Sequence, residues 1–109
     1  MVDIKEFSKI KFIRKREGVY VKLINGEKAQ LLLIKLEPGV ETNHVHPEEQ
    51  LGYIISGFAE LTIDDNTKIC GPGTAYAIPA DKPHGFKVSG NKPLTYIEVF
   101  SPPKQENIF

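Results

Sequence analysis

The sequence predicts an all-β fold, a sandwich or barrel of short strands, and three observations support this prediction. Apolar and polar residues alternate with a strand-like period of two along most of the chain. The alternating runs are short, evenly spaced and separated by glycine and proline. No segment shows the periodicity of a convincing amphipathic helix, although a first turn or two around Asp3 to Ile10 could be helical. Together these features favour a closed or two-layered β architecture.

The first half of the chain predicts a hairpin. Residues 19–24 alternate in the strand pattern, and an apolar run follows at 29–36. The Asn-Gly dipeptide at 25–26 lies between the two runs, where it is a strong signal of a tight turn. The Pro-Gly dipeptide at 38–39 then ends the second strand.

The second half predicts six further short strands before a proline-containing tail. Turns and loops at Gly57, 65–66, 71–73 and 79–83 separate most of them. Because proline donates no ladder hydrogen bond, we expect the tail at 101–109 to lie outside any central strand. The predicted strands cover residues 50–56, 58–64, 68–70, 75–78, 84–88 and 94–100.

Composition restricts the class of protein. A chain of 109 residues is long enough for one hydrophobic core, so we expect a single domain over 1–109. The 14 basic and 14 acidic residues cancel, which argues against nucleic acid or an anionic membrane as the main partner. The charged N-terminus and the lack of a long apolar segment favour a cytoplasmic protein. Cys70 is the only cysteine, which excludes an internal disulfide.

All three histidines of the chain occur where a metal site would need them. His44 and His46 are two apart, so in extended backbone both imidazoles lie on one face. Gln50 follows four residues later, and His84 begins a later predicted strand after a loop. A barrel brings such strand ends together around one mouth. We therefore predict one metal ion bound by His44, His46, Gln50 and His84.

The same residues resemble the two motifs of the cupin superfamily. The first motif contains a glycine, His-x-His, an acid and a second glycine, and it matches residues 39–57. The second contains a glycine-rich turn, Ile-Pro and a histidine, and it matches residues 71–84. Both lie within 36–88. The resemblance implies a double-stranded β-helix, or jelly-roll barrel, with one divalent transition metal ion (Ni, Mn, Fe, Zn or Cu) inside it.

The chain departs from the first motif at two positions. The interval from Gly39 to His44 is one residue short, and Gln50 stands where the motif has glutamate. Three imidazoles and an amide oxygen are all neutral, so the bound ion would keep its double charge, act as a stronger Lewis acid and attract anions. Glu49 could supply a carboxylate instead, but a shift of one residue turns a side chain to the opposite face of a strand. We therefore favour Gln50.

A narrower resemblance is to the pectin-degradation cupins, which open the ring of 4,5-unsaturated uronates. The matching residues are 46–53 and 97–104. The resemblance implies catalytic roles for Glu98, where the family has aspartate, for Phe100, and for Lys104, where the family has arginine. Lysine cannot make the bidentate contact with a carboxylate that arginine makes.

The residues themselves leave the roles at this strand open. Glu98 shares one face with Tyr96 and Phe100, so it lies either inside the barrel with a partner or at a solvated edge. Inside, near a metal, it could act as general acid or base. Lys104 lies in a tail where solvent exposure is the simpler expectation. Arg14 and Arg16, two residues apart, could both bind a substrate carboxylate from an N-terminal strand, but exposed charges at a strand edge are the simpler expectation.

The leading functional hypothesis is a metal-dependent isomerase or lyase acting on a small anionic, sugar-derived substrate. Two alternatives remain: a dioxygenase of the three-histidine cupin type, and a non-catalytic cupin that binds a small molecule or metal. By analogy with other jelly rolls, whose open edges are often covered by a partner, we also expect a homodimer.

Overall fold

The computed structural model describes residues 3–105, which form two antiparallel β-sheets. A 3₁₀ turn at Phe7–Lys9 precedes the first strand. The strands, numbered in chain order, are β1 Ile13–Arg16, β2 Val19–Asn25, β3 Gln30–Leu36, β4 Glu49–Ser56, β5 Phe58–Ile63, β6 Asn66–Cys70, β7 Ala75–Ile78, β8 His84–Ser89 and β9 Leu94–Ser101. The prediction of an all-β jelly roll is confirmed.

The two sheets differ in size. The larger has the order β1-β2-β3-β9-β4-β7, and the smaller has the order β6-β5-β8. Residues 40–44 run along the free edge of β8 and extend the smaller sheet by isolated bridges. In the bridge nearest the predicted site, His44 and His84 each donate a backbone N–H to the other's carbonyl oxygen, at 2.8 and 2.9 Å. The polypeptide backbone therefore holds two of the predicted ligands side by side.

The core lies between the facing surfaces of the two sheets. In β3 and β9 every second residue is buried, as the period-two alternation predicts. Two polar residues of these inner faces, Gln30 and Glu98, are also buried. The hydrophobic core is formed by Val21, Leu23, Leu32, Ile34, Leu36, Ile54, Leu94, Tyr96 and Phe100 from the larger sheet and by Ala59, Leu61, Cys70, Phe86 and Val88 from the smaller sheet.

Most predicted strand limits agree with the structure to within a residue or two, and the differences have local causes. The first hairpin loop is longer than the Asn-Gly turn predicted, because Asn25 still pairs with Gln30 and Gly26 donates its N–H to the Ala29 carbonyl at 2.8 Å. The second turn falls one residue earlier than predicted, at 64–65, since Asn66 already pairs with Ile63 in the ladder.

The N-terminal region and the tail differ from expectation in extent. The helical turn allowed for around Asp3 to Ile10 is only the 3₁₀ turn at Phe7–Lys9. The strand β1 was not predicted from periodicity, because all four of its residues are exposed and it has no buried face. Ser101, the first residue of the predicted tail, still pairs with Glu49 as the last residue of the central strand β9, residues 102–105 lie outside the sheets, and residues 106–109 lie outside the described residues. Within residues 3–105, no helix has the length and apolar character needed to cross a membrane.

Candidate metal centre

The predicted site residues all line one cavity between the two sheets. Its volume is about 290 Å³. Strands from both sheets contribute to it, together with the segment 40–46 and the start of the tail. The seven residues predicted from the sequence that line it are His44, His46, Gln50, His84, Glu98, Phe100 and Lys104.

Strand pairing explains why residues far apart in the sequence meet here. On the larger sheet Gln50 of β4 lies directly opposite Phe100 of β9. The Phe100 ring packs edge-on against the His46 imidazole, with centroids 5.4 Å apart. From the smaller sheet, His84 at the start of β8 brings its imidazole to 4.7 Å from that of His46. Gln50, His46 and His84 therefore converge from the two sides of the barrel.

The His84 side chain has a ring nitrogen, Nε2, whose lone pair can bind a metal ion. Its Nδ1 lies 2.9 Å from the Lys82 carbonyl oxygen, to which it donates, so Nε2 carries no proton in the neutral ring. That Nε2 is buried and has no hydrogen-bond partner. Burial lowers the pKa of the His84 imidazole below its ordinary value, and the hydrogen bond to Lys82 only partly opposes this effect. A buried basic nitrogen without a donor is the form of histidine that binds metal.

His46 and Gln50 also fit a shared cation. The two ring nitrogens of His46 both face oxygen acceptors, the Glu48 carbonyl at 3.0 Å from Nδ1 and Gln50 Oε1 at 3.0 Å from Nε2. A neutral imidazole has one N–H and can donate to only one of these. When it donates to Glu48, the lone pairs of Nε2 and Gln50 Oε1 face each other, and a cation between them would satisfy both. The Glu48 carboxylate, 3.5 Å from Nδ1, also favours that tautomer.

His44 is the least converged of the four predicted ligands. Its ring centroid lies 5.8 Å from that of His84 and 6.4 Å from that of His46, and the residue is exposed. Accordingly, no group of three or more His, Cys, Asp or Glu side chains among residues 3–105 already surrounds a common metal position. The His44 backbone is nevertheless fixed beside His84 by the paired hydrogen bonds to β8.

Gln50 and Glu49 occupy different environments. The Gln50 side chain is buried and lines the cavity, whereas Glu49 is exposed and is not among the cavity residues. This difference follows from the alternation of side chains along β4. The arrangement therefore favours the amide rather than the neighbouring carboxylate as a ligand.

Glu98 is a buried acid with two hydrogen-bond donors. Its side chain is 3% exposed. Tyr76 donates its hydroxyl to Glu98 Oε2 at 2.6 Å, and the Gln50 amide donates Nε2–H to the same oxygen. Burial raises the pKa of Glu98 from 4.5 to about 7, although both hydrogen bonds and the nearby Lys104 charge lower it in part. The carboxyl group can thus take up or release a proton near neutral pH.

The contact between Tyr76 and Glu98 passes across a glycine. Tyr76 on β7, Gly52 on β4 and Glu98 on β9 form one row across three neighbouring strands. A Cβ atom on Gly52 would lie 2.0 Å from Tyr76 Cζ, so the ring occupies the space that any other residue would fill. Burial and the Glu98 charge raise the Tyr76 pKa well above its ordinary value, which keeps the hydroxyl a donor.

Lys104 lies nearer the cavity than the sequence alone suggested. Its Nζ is 5.1 Å from the centroid of the Phe100 ring, a cation–π distance. Its charge also lowers the pKa values of Glu98 and His84. The lysine is partly buried and belongs to the cavity wall.

Some cavity residues had only weak sequence signals. Tyr76 and Tyr53 both lie in predicted strands, but only Tyr76 reaches Glu98, whereas Tyr53 is half exposed. Gly52 carries no motif of its own, and only its position opposite Tyr76 and Glu98 reveals its role. Arg16 lines the cavity, as does Lys15, which no pattern singled out.

Comparison with known proteins agrees with this geometry. A profile of the family described as Cupin domain matches residues 32–100. The chain belongs to the cupin family. The matched range runs from β3 to β9 and includes each of the four predicted ligands.

Three relatives show what the cupin resembles. KdgF from Halomonas sp. is 21% identical, with a TM-score of 0.89 over 99% of this chain and 100% of that chain. An RmlC-like cupin from Shewanella frigidimarina NCIMB 400 is 17% identical, with a TM-score of 0.90 over 99% and 97%. Mannose-1-phosphate guanylyltransferase of Escherichia coli (strain K12) is 31% identical over 88 residues, which cover 77% of this chain but only 18% of that enzyme. The two structures establish the fold alone.

Proposed function

We propose that this cupin binds one divalent transition metal ion (Ni, Mn, Fe, Zn or Cu) through His44, His46, Gln50 and His84. The observation that carries the proposal is the buried Nε2 of His84, which has no hydrogen-bond partner among residues 3–105, beside His46 Nε2 and Gln50 Oε1, which lie 3.0 Å apart. The set is neutral, so a bound ion would keep its charge and supply Lewis acidity toward a hydroxyl or carbonyl.

We further propose that the cupin is an isomerase or lyase that opens the ring of a small anionic sugar derivative such as a 4,5-unsaturated uronate. The motif resemblance to the pectin-degradation cupins supports this substrate class. Among residues 3–105 the charges that line the cavity agree with it, because Lys15, Arg16 and Lys104 are cations and Glu98 is the acid. Such a cavity attracts anions.

In this proposal Glu98 moves the proton. It lines the cavity, it exchanges a proton near neutral pH, and Tyr76 and Gln50 fix its orientation by donating to one oxygen. Phe100 forms an apolar wall that keeps water from the reacting atoms and positions His46 by ring contact. Lys104 supplies a positive charge beside Phe100, at the end of the cavity where the histidines lie.

The metal proposal is tested by metal analysis of protein purified without a polyhistidine tag. We expect about one equivalent in the wild type and little in His46→Ala and His84→Ala, since each loses a ligand. Val45→Ala is the matched control, because Val45 lies between two ligands and is 65% exposed. A metal-free wild type, or equal metal content in all four proteins, would contradict the proposal.

The reaction is tested by the loss of absorbance of a 4,5-unsaturated uronate. Removal of a general acid or base by Glu98→Gln should lower the rate by about 10²- to 10⁴-fold. Glu49→Gln is the control, as it makes the same change at an exposed acid that does not line the cavity. Equal rates in the wild type and Glu98→Gln, or no rate in metal-loaded wild type, would show that the proposed reaction is wrong.

One observation favours a non-catalytic alternative. In mannose-1-phosphate guanylyltransferase of Escherichia coli the matching region is only 18% of the enzyme. A cupin of this type can therefore be one part of a larger enzyme. In that case the cavity would bind a sugar-derived molecule or a metal without turning it over. Binding of a uronate without any turnover would favour this alternative.

The neutral three-histidine set also suits a dioxygenase. A redox-active iron, copper or nickel at such a site could handle oxygen. Oxygen consumption by iron- or copper-loaded protein with a phenol or diketone separates this activity from ring opening, which consumes none.

We propose that the cupin is a homodimer and that the outer face of the larger sheet forms its interface. Leu31, Val99 and Leu51 form one row across three adjacent strands, and Leu33, Ile97 and Tyr53 form the next. An apolar surface of this kind is typical of an interface. Light scattering should give twice the chain mass, and Leu51→Asp should reduce it to one. The cytoplasmic location remains a prediction.

A further inference from the structure

Strand β1 contains an irregularity that turns two consecutive cations toward the cavity. Arg14 pairs with Tyr20 and Arg16 pairs with Val19, so Lys15 is an extra residue in the ladder, a β-bulge. In a regular strand neighbouring side chains point to opposite faces. Here Lys15 and Arg16 both line the cavity, while Arg14 does not. The bulge therefore places a pair of positive charges where the cavity meets solvent.

Arg16 is held in place without being neutralised. Its Nη2 donates to the Glu41 carbonyl oxygen at 2.7 Å, which joins the edge of the larger sheet to the segment leading to His44. The Glu41 carboxylate instead lies 3.8 Å from Lys87 Nζ. A guanidinium group has five N–H donors, so the single bond to Glu41 leaves others that can donate to a ligand. The arginine is both anchored and able to bind.

The two ends of the cavity carry different groups. The histidines, Glu98 and Lys104 lie at one end, and Lys15 and Arg16 lie at the other, on the edge strand. Glu41 precedes His44 by three residues of extended backbone, a span of about 10 Å. Between the ends the wall is mainly apolar, formed by Val19, Val21, Leu32, Ile34, Leu36, Phe86, Tyr96 and Phe100.

We propose that Lys15 and Arg16 form a subsite for an anionic group of the ligand, a carboxylate or a phosphate, remote from the part that meets the histidines. This inference rests on the proposed function, which assigns the cavity to a small anionic molecule. It adds which residues bind the anionic group of that molecule. A ligand that satisfies both ends is an extended acid with a polar end, an apolar or weakly polar middle and a distal charge. Arginine provides the directional contact, and the lysine adds charge.

The test measures binding to metal-loaded protein by calorimetry, with three probes. D-galacturonate carries a carboxylate, D-galactose is its neutral match, and inorganic phosphate is a free anion. Arg16→Gln should raise the Kd for galacturonate about tenfold or more, as expected for a lost charge-assisted hydrogen bond, and should leave galactose binding unchanged. Arg16→Lys should keep part of the affinity. Arg14→Gln is the matched control, since it removes the same charge from the same strand outside the cavity.

Each outcome decides the proposal. A loss of galacturonate affinity in Arg16→Gln but not in Arg14→Gln supports the subsite. If Arg16→Gln also loses phosphate affinity, the subsite is a general anion site. If its phosphate affinity is unchanged, the subsite is specific for a carboxylate. Equal Kd values for Arg16→Gln and Arg14→Gln with both anions would overturn it. Because galacturonate has no 4,5 double bond, this readout is independent of turnover. Arg16-dependent binding together with an inert unsaturated uronate would refute the proposed reaction and leave the subsite standing.

Discussion

The buried carboxyl group of Glu98 makes a quantitative prediction about stability and pH. Its pKa is raised from 4.5 to about 7 in the folded protein, so the folded state binds the proton more tightly than the unfolded chain. Below pH 4.5 both states hold the proton and no stability is lost. As the pH rises from 4.5 through 7, the unfolded chain releases its proton first and the folded state loses relative stability. At about 1.4 kcal/mol per pH unit, the loss totals about 3 kcal/mol above pH 7.

The perturbation that isolates this effect is Glu98→Gln in metal-free protein. Glutamine keeps the size of the side chain and an acceptor for Tyr76, but it has no carboxyl proton to lose. The free energy of unfolding, from urea denaturation at pH 5, 6, 7 and 8, should therefore fall with pH more steeply in the wild type than in the variant. The difference between the two proteins should change by about 3 kcal/mol across this range, on the order of 10 °C in Tm.

Two features make the comparison decisive. The His84 imidazole has a lowered pKa, so it contributes the opposite trend, stability that rises with pH, but it is present in both proteins and cancels in the difference. Glu27→Gln, in the exposed loop between β2 and β3, removes a carboxylate without burial and should run parallel to the wild type. If the difference between wild type and Glu98→Gln stays constant from pH 5 to 8, the reasoning about the buried acid is wrong.

Three further predictions concern packing and the metal ligands. Gly52→Ala should destabilise the fold by about 1–3 kcal/mol in urea denaturation, because the new Cβ overlaps the Tyr76 ring. The cost should largely vanish in a Tyr76→Ala background. An equal cost in both backgrounds would exclude that overlap as the cause. Leu32→Ala, at a fully buried core position, should cost about 2–5 kcal/mol, and a loss below 1 kcal/mol would mean that the core collapses around the gap. Cobalt affinity in competition with a chelator should fall as the pH is lowered from 8 to 5, since protonated imidazole cannot bind metal; an affinity that is flat over this range would argue against imidazole ligands.

The parts of the fold that could be predicted are those with local signals. Periodicity and turn signals identified eight of the nine strands among residues 3–105. In most of the eight the period of two reports a buried face, whereas β6, which is exposed except at Cys70, was recognised from the turns on either side of it. The exception is β1, whose sequence Ile-Arg-Lys-Arg has no buried face and so shows no pattern. Its bulge at Lys15, on which the anion subsite depends, has no sequence signal either.

The candidate site, like the fold, could be predicted only where the sequence carries a local signal. The motif residues His44, His46 and His84 could be grouped because their spacing and turns are local features. The environment of Glu98 could not, because it depends on which strands are neighbours in the sheet. Glu98 is buried beside Tyr76 only because β9, β4 and β7 are adjacent, and these strands are separated by long stretches of sequence.

The same strand order gives a physical reason for the glutamine at position 50. The Gln50 amide donates to Glu98 Oε2 from one end and presents Oε1 to His46 from the other. A glutamate at position 50 would place a second carboxylate in contact with Glu98, and two buried carboxylates at that distance cannot both be ionised. The site would then lose either a ligand charge or its proton-transfer group. An amide avoids this conflict, because its N–H stabilises the ionised form of Glu98 while its oxygen remains available to a metal. The departure of Gln50 from the glutamate of the first cupin motif and the buried acid at position 98 are therefore two parts of one arrangement.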